Sequence, residues 1–268
     1  MDVRRYMKTE GEQPLDNVVE SGGLCSILRT VACIGDSLSS GELESFMDGK
    51  QGYHDFYDIS WGQFLARDAG CTVYNFSKGG MTAKDYCEHF AQERGFYNEE
   101  LKALAYIIAL GVNDLTRVSR GELEFGSIED VDPEHPENNK PTFAGYYGRI
   151  ISEYKRIQPK GRFFLVTVPR TVLHLNHAEL FDSHAELLYQ IAELFEYCYV
   201  IDLRKYGPLH DEEFIRNFYL ARHMNAAGYR LFALMIESYI DYIIRQYPED
   251  FAQIGFVGTP FYNEKFKW

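Results

Sequence analysis

Basic residues are scarce in this sequence relative to acidic ones. It holds 27 Lys and Arg against 40 Asp and Glu, a formal net charge of −13 at pH 7. A surface that binds nucleic acid or an anionic membrane needs a basic footprint, so we expect neither partner. Disorder is also excluded, because the chain is 46% hydrophobic, 15% aromatic and 25% charged, which is the composition of a globular protein.

Cysteine is scarce as well, and long apolar runs are missing. The five cysteines form no Cys-x-x-Cys pair, and their odd number favours reduced thiols over a disulfide framework. We interpret Cys33, Cys71 and Cys198 as small buried hydrophobic side chains. Residues 1–20 contain no apolar core of the kind a signal peptide has, and no run reaches the roughly 18 apolar residues that span a membrane. These absences predict a cytoplasmic protein.

What the sequence does contain is a regular alternation of apolar runs and amphipathic segments. At 268 residues it is long enough for one large domain with a substantial core. We divide it into an irregular N-terminal arm (1–27), a domain (28–247) and a tail (248–268) that packs back on the domain. Five strands alternating with helices predict a three-layer α/β/α sandwich around a five-stranded parallel sheet.

Small polar residues follow the predicted strands. Ser37 comes after the apolar run 31–34, Gly80 ends the second strand, and Asn113 follows the third. His223 stands just before a helix predicted to begin at Ala226. Each residue also has an ordinary structural interpretation as a turn former or a helix cap. In open α/β sheets, however, ligands bind beyond the carboxyl ends of the strands, which is where these residues are expected to meet.

Together these residues suit the hydrolysis of an ester. Ser37 supplies a nucleophile and His223 a base that takes its proton. The backbone N–H groups of Ser37 and Gly80 and the side-chain amide of Asn113 supply donors for the developing oxyanion.

The same residues resemble the sequence blocks of the SGNH/GDSL hydrolase superfamily. Gly-Asp-Ser-Leu at 35–38 is similar to the first block, 75–82 to the second, Gly-Val-Asn-Asp at 111–114 to the third, and His223 with Asn225 to the fifth. The resemblance covers roughly residues 28–247. It implies a flavodoxin-like sandwich and an esterase, lipase or carbohydrate-deacetylase activity without a cofactor. It argues against the ordinary α/β-hydrolase fold, whose nucleophile lies in Gly-x-Ser-x-Gly.

The sequence departs from the family at one position. The fifth block usually has Asp three residues before its His, and this chain has Leu220 there. An orienting carboxylate fixes the tautomer of the base and stabilises the imidazolium. Three explanations stay open: a backbone carbonyl near Leu220 holds the ring, a carboxylate arrives from Asp211, Glu212 or Glu213, or efficient catalysis has been lost.

We therefore expect a serine esterase that hydrolyses a small acyl ester, such as an acetyl ester, of a carbohydrate or another polar alcohol. The first alternative is a catalytically impaired ligand-binding protein of the same fold. The second is a nucleotide-binding flavodoxin-like protein, which the lack of a phosphate-binding glycine pattern disfavours. The sequence makes no prediction of oligomeric state.

Two further segments attract functional hypotheses. His174, His177, Asp182 and His184 lie close together in sequence, but their spacing matches no familiar metal-ligand pattern, so we predict no metal. The acidic segment 117–141 has three prolines and no helical or strand period, which is typical of a long loop. We take it as a candidate specificity element.

Overall fold

A five-stranded parallel sheet forms the centre of the protein. The computed structural model describes residues 3–266. The strands of the described residues, five in this sheet and four in two small hairpins, are β1 (Thr30–Gly35), β2 (Glu42–Met47), β3 (Lys50–Asp55), β4 (Thr72–Ser77), β5 (Ala105–Ala109), β6 (Arg162–Val166), β7 (Cys198–Ile201), β8 (Tyr219–Leu220) and β9 (His223–Met224). The sheet has the order β4-β1-β5-β6-β7, and Val31 pairs with both Val73 and Ala105. The predicted parallel sheet is confirmed.

Helices cover both faces of this sheet. They are α1 (Ser37–Ser40), α2 (Trp61–Ala69), α3 (Ala83–Asp85), α4 (Ala91–Glu93), α5 (Val112–Ser119), α6 (Phe143–Ile157), α7 (Ala178–Glu193), α8 (Leu203–Tyr206), α9 (Glu212–Phe218), α10 (Ala226–Gln246) and α11 (Pro248–Phe251). A π-helical turn, Tyr86–Phe90, joins α3 to α4. Short 3-10 helices lie at Val3–Tyr6, Gly23–Ile27, Tyr57–Ile59, Glu99–Leu101, Ile128–Asp130, Pro136–Asn138, Val172–His177 and Ile254–Phe256.

Alternation along each central strand divides the core into two layers. Ala32 and Ile34 of β1 pack with α6 and α7, whereas Val31 and Cys33 pack with α2 and α10. Side chains of successive strand residues point to opposite faces, so a strand covered on both faces is apolar throughout. The structure is the predicted three-layer sandwich.

Polar side chains cap the starts of three helices. The side chains of Ser60, Thr142 and Asn225 accept hydrogen bonds from the backbone N–H groups of Gln63, Gly145 and Gly228, respectively, at the starts of α2, α6 and α10. Such caps satisfy backbone donors that the helix itself leaves free. Two local patterns mislead: the sequence predicts a helix only from residue 185 and a polar connection over 207–217, whereas α7 begins at residue 178 and α9 spans Glu212–Phe218.

The most consequential difference lies between β1 and α2. Residues 41–52 were expected to form a polar loop, yet β2 and β3 pair as an antiparallel hairpin. Asp48 and Gly49 form its turn with φ of 51° and 71°. Positive φ at both central residues is what a tight hairpin turn requires, and Asp-Gly is a favoured pair for it.

The arm and the tail both pack on the domain. Backbone N–H groups of Val19 and Leu24 donate to the side chains of Ser238 and Asp241 on α10. In the tail, Phe251, Ile254 and Val257 are buried. The last residues of the predicted tail, 267–268, and the first two of the arm lie outside the described residues.

The segment 117–141 is anchored rather than open. Its first residues complete α5, and its buried Val131 packs so closely on α6 that a Cβ at Gly148 would collide with it. Asp130 pairs with Lys140 at 2.6 Å and accepts a hydrogen bond from Thr142 at 3.1 Å. Asp130 and Val131 of this segment therefore pack on the first turns of α6 and on the residues before it.

Candidate active site

Ser37 stands at the carboxyl edge of the sheet, at the start of α1. β1 ends at Gly35, where a Cβ would collide with Ser39 of the following turn. Asp36 then caps α1, its Oδ1 accepting from the backbone N–H of Leu38 at 3.0 Å. The tight turn needs glycine and the helix start needs a capping side chain, so both requirements place Ser37 at the strand tip.

A cleft of about 570 Å³ opens at this edge, and Ser37, Asn113 and His223 all line it. Ser37 and Asn113 lie at the starts of the helices that follow β1 and β5, and His223 lies in β9, just before α10. Gly80 does not line the cleft but lies on the adjoining turn after β4, where its φ of +74° favours glycine. Its place in an oxyanion hole stays a prediction.

Asn113 is held by its neighbours. Its Nδ2 donates to the carbonyl of Met81 at 3.1 Å and reaches Asp36 Oδ2 at 3.5 Å. The next residue, Asp114, is fully buried, and its Oδ1 accepts from the backbone N–H of Ala83 at 2.8 Å. These contacts fasten the turn after β5 to the turn after β4, so the predicted oxyanion donors share one framework.

Burial shifts the ionisation of both aspartates toward the neutral form. Burial raises the pKa of Asp36 to about 6 and that of Asp114 to about 8. Desolvation disfavours the charged carboxylate, and few compensating donors reach either side chain. Asp114 is therefore protonated at neutral pH.

His223 lies between two glutamates of the β2–β3 hairpin. Its Nδ1 is 2.9 Å from Glu44 Oε1, and its Nε2 is 3.1 Å from Glu42 Oε1. The ring of Tyr53, also from the hairpin, stands edge-on to the imidazole with centroids 5.9 Å apart. Within residues 3–266, no hydrogen bond reaches the hydroxyl of Ser37, so the predicted nucleophile and base line one cleft without a hydrogen bond between them.

The two glutamates differ in their ionisation. Burial disfavours the charged form of Glu44, but hydrogen bonds from His223, the backbone N–H of Arg222 and Gln51 outweigh it and lower its pKa. Burial raises the pKa of Glu42, and the charges of Asp55 and Glu44 add to that effect against the attraction of His223. Glu44 is therefore the stronger acid of the pair.

The structure identifies what contacts His223 in the absence of the usual Asp. Leu220 pairs with His223 across the β8–β9 hairpin, and its side chain is 41% exposed. Asp211 caps α9 through the backbone N–H of Phe214, and both Glu212 and Glu213 are exposed. The carboxylate at Nδ1 is that of Glu44, a residue that sequence reasoning missed and placed in a loop.

The histidine-rich segment that follows β6 serves packing. His184 is fully buried against Phe143, and His174 stacks on Phe181 with centroids 4.9 Å apart. Asp182 pairs with Arg204. In the part of the chain from 3 to 266, no three His, Cys, Asp or Glu side chains are grouped so as to hold a metal ion.

A family model decides what this arrangement belongs to. The GDSL-like Lipase/Acylhydrolase family model matches residues 33–231, which include Ser37, Gly80, Asn113 and His223. The chain belongs to this family. It is a GDSL-type hydrolase acting on ester bonds.

Solved structures share the fold at low sequence identity. A family two carbohydrate esterase from Clostridium thermocellum, in complex with cellohexaose, has a TM-score of 0.56 and 15% identity over 83% of this chain and 65% of that chain. A carbohydrate esterase family 2 enzyme of Corynascus thermopiles, with a carbohydrate binding domain, has a TM-score of 0.54 and 14% identity over 85% of this chain and 67% of that chain. An acetyl xylan esterase has a TM-score of 0.51 and 17% identity over 78% of this chain and 98% of that chain. No curated protein sequence matches the chain.

Residues 3–266 include no helix with the length and apolar character needed to cross a bilayer.

Proposed function

We propose that this GDSL hydrolase is a serine esterase that removes a small acyl group from a carbohydrate or another polar alcohol. His223 Nε2 takes the proton of Ser37 as Oγ bonds to the ester carbonyl carbon. The alcohol then leaves with that proton, and water attacks the acyl-enzyme in the reverse sequence. The backbone N–H groups of Ser37 and Gly80 and the amide of Asn113 stabilise the oxyanion in both steps.

The observation that carries the proposal is the common cleft of Ser37, Asn113 and His223 at the carboxyl edge of the sheet. Apposition of a nucleophile, a base and an amide donor is the minimum that acyl transfer needs. In this structure Nε2 contacts Glu42, so the imidazole must turn or Glu42 must withdraw before the proton transfer. Catalytic hydrogen bonds often form only when substrate is bound.

The preference for a small acyl group is supported by a second, much smaller cavity. It holds about 20 Å³, and Asp36, Leu38, Val112 and Val168 line both it and the cleft. This volume accommodates about one water-sized group. Since Asp36 and Leu38 flank the nucleophile, we place the methyl of an acetyl group at this cavity, which is too small for a longer acyl chain.

The preference for a polar alcohol is supported by His210 at the other side of the cleft. Its side chain is buried, its Nδ1 is 2.9 Å from the hydroxyl of Tyr219, and its Nε2 has no partner among residues 3–266. Burial lowers the pKa of His210 to about 4, so the ring is neutral at working pH. A buried polar atom without a partner is costly, and a substrate hydroxyl would satisfy it once the lining of the cleft shifts to admit it.

The contact between Nε2 and Glu42 favours one alternative, a non-catalytic ligand-binding protein. The two functions are distinguished by comparing wild type with Ser37→Ala on 4-nitrophenyl acetate, 4-nitrophenyl octanoate and acetylated sugars. Ser26→Ala is the matched control, because Ser26 is exposed and precedes β1 at the opposite edge of the sheet.

We expect acetyl esters to be hydrolysed by wild type and Ser26→Ala but not by Ser37→Ala, and the octanoyl ester to be a poor substrate. A fluorophosphonate probe should label Ser37 in the active proteins only. Equal activity in Ser37→Ala would refute the serine mechanism. No turnover and no labelling in any folded variant would establish the binding function instead.

A further inference from the structure

We infer that Glu44 is the carboxylate that positions His223 for catalysis, delivered by the β2–β3 hairpin instead of by the fifth block. This inference rests on the proposed serine mechanism. Glu44 makes the contact with His223 Nδ1 that the resemblance assigns to the Asp of the fifth block, while the corresponding position of this chain is the exposed Leu220. The carboxylate at Nδ1 therefore comes from the β2–β3 hairpin and not from the last loop.

The contacts of Glu44 are those of an orienting carboxylate. Its side chain is fully buried, and Oε1 accepts from both the backbone N–H of Arg222 at 2.7 Å and His223 Nδ1 at 2.9 Å. Gln51, across the hairpin, donates to Oε2. Hydrogen bonds to a charged acceptor are the strong ones, and a buried charge persists only when it is so paired. Glu44 thereby holds Nδ1 protonated and leaves Nε2 to act as the base.

The hairpin aims this side chain by register. Glu44 pairs with Tyr53 in the middle of the β2–β3 ladder, and β2 packs directly against β9, which carries His223. Residues two apart on a strand share a face, so Glu42 and Glu44 both point toward the imidazole. A shift of the register by one residue would turn both carboxylates away.

The two glutamates have different consequences for the proton transfer. During attack, the proton of Ser37 moves to Nε2. The imidazolium that forms still donates its Nδ1 hydrogen bond to Glu44. The negative charge of Glu44 stabilises that cation. Glu42, on the opposite side of the ring, occupies the position that the hydroxyl of Ser37 must reach, so only Glu44 supports the reaction directly.

The test compares wild type, Glu44→Gln and Glu44→Ala with two further variants. Glu213→Gln removes an exposed carboxylate near the last loop, and the double variant Glu44→Ala with Leu220→Asp moves the acid to the usual family position. Directly opposed residues of an antiparallel pair have Cβ atoms about 5 Å apart, so an Asp at 220 can reach the imidazole. Steady-state hydrolysis of 4-nitrophenyl acetate, fluorophosphonate labelling rate and thermal unfolding are measured on each protein.

We expect Glu44→Gln to lower kcat by about 10²- to 10⁴-fold with KM within about threefold, as loss of the orienting charge does in a triad. Glu213→Gln should match wild type. Leu220→Asp should restore kcat at least tenfold over Glu44→Ala alone, which a merely structural role of Glu44 would not allow. A folded Glu44→Gln with wild-type kcat, or a folded double variant without rescue, would overturn the inference.

Failure of this inference is distinguishable from failure of the proposed function. If Ser37→Ala is inactive while Glu44→Gln turns over normally, the serine mechanism stands and Glu44 has no part in it. If wild type and Ser37→Ala behave alike, the serine mechanism itself is wrong, and the role assigned to Glu44 falls with it.

Discussion

Replacing Asp114 with Asn should make the protein more stable, by an amount that grows with pH. Asp114 is buried, its pKa is raised from 3.8 to about 8 by desolvation, and its Oδ1 accepts from the backbone N–H of Ala83. Asn has the same shape and keeps an acceptor for that N–H group, but it has no charge to desolvate. At neutral pH Asp114 must take up a proton as the chain folds, and the substitution removes that pH-dependent cost.

The magnitude follows from the difference between the two pKa values. The unfolded chain releases this proton near pH 3.8, whereas the folded chain retains it to about pH 8. Between these values the folded state binds more protons, so the stability that Asp114 contributes falls as pH rises and is level above about pH 8. At about 1.36 kcal/mol per pKa unit, the stability lost across the window is on the order of 6 kcal/mol, of which about 4 kcal/mol is lost by pH 7.

Urea unfolding of wild type and Asp114→Asn at pH 5, 7 and 9 measures this difference. The advantage of the variant should be about 2 kcal/mol at pH 5 and largest at pH 9. Asp58→Asn, at an exposed carboxyl, is the control and should change stability little. If the Asp114→Asn advantage is the same at all three pH values, Asp114 does not retain its proton in the folded state and the reasoning is refuted.

Two further substitutions test other parts of the structure. His210→Phe fills the same space without the free Nε2, so KM for acetylated sugars should rise about tenfold while KM for 4-nitrophenyl acetate is unchanged; an equal rise for both esters would show a general distortion of the cleft. Glu12→Ala should destabilise the protein by about 3 kcal/mol in thermal unfolding, because it removes one of the two carboxylates that pair with the buried Arg245 and leaves Asp241. Unchanged stability would mean that the N-terminal arm does not contribute to the fold through this pair.

Much of the fold could be predicted because its signals are local. The apolar run of β1, the capping side chains of Ser60 and Thr142 and the glycine that ends α2 each act within a few residues. The strand tips are equally local, so Ser37 and Asn113 could be placed at one edge of the sheet from the sequence alone.

The contact between Glu44 and His223 could not be predicted in this way. The two residues are 179 positions apart and meet only because β2 packs on β9. The hairpin carries polar residues at many of its positions, which hides its strand period. The one local signal was Asp48-Gly49, a favoured pair for a tight turn, and the polar flanks led to its interpretation as part of a loop.

Because of the β2–β3 hairpin, we expect activity to be lost at a lower temperature than the one at which the domain unfolds. β2 and β3 belong to a two-stranded sheet of their own, outside the central sheet that holds the core. Small peripheral units open at lower free energy than the global unfolding transition. Detachment of this hairpin would take Glu44 away from His223 while the central layers stay intact. Heated protein would therefore lose esterase activity below its unfolding temperature and regain it on cooling.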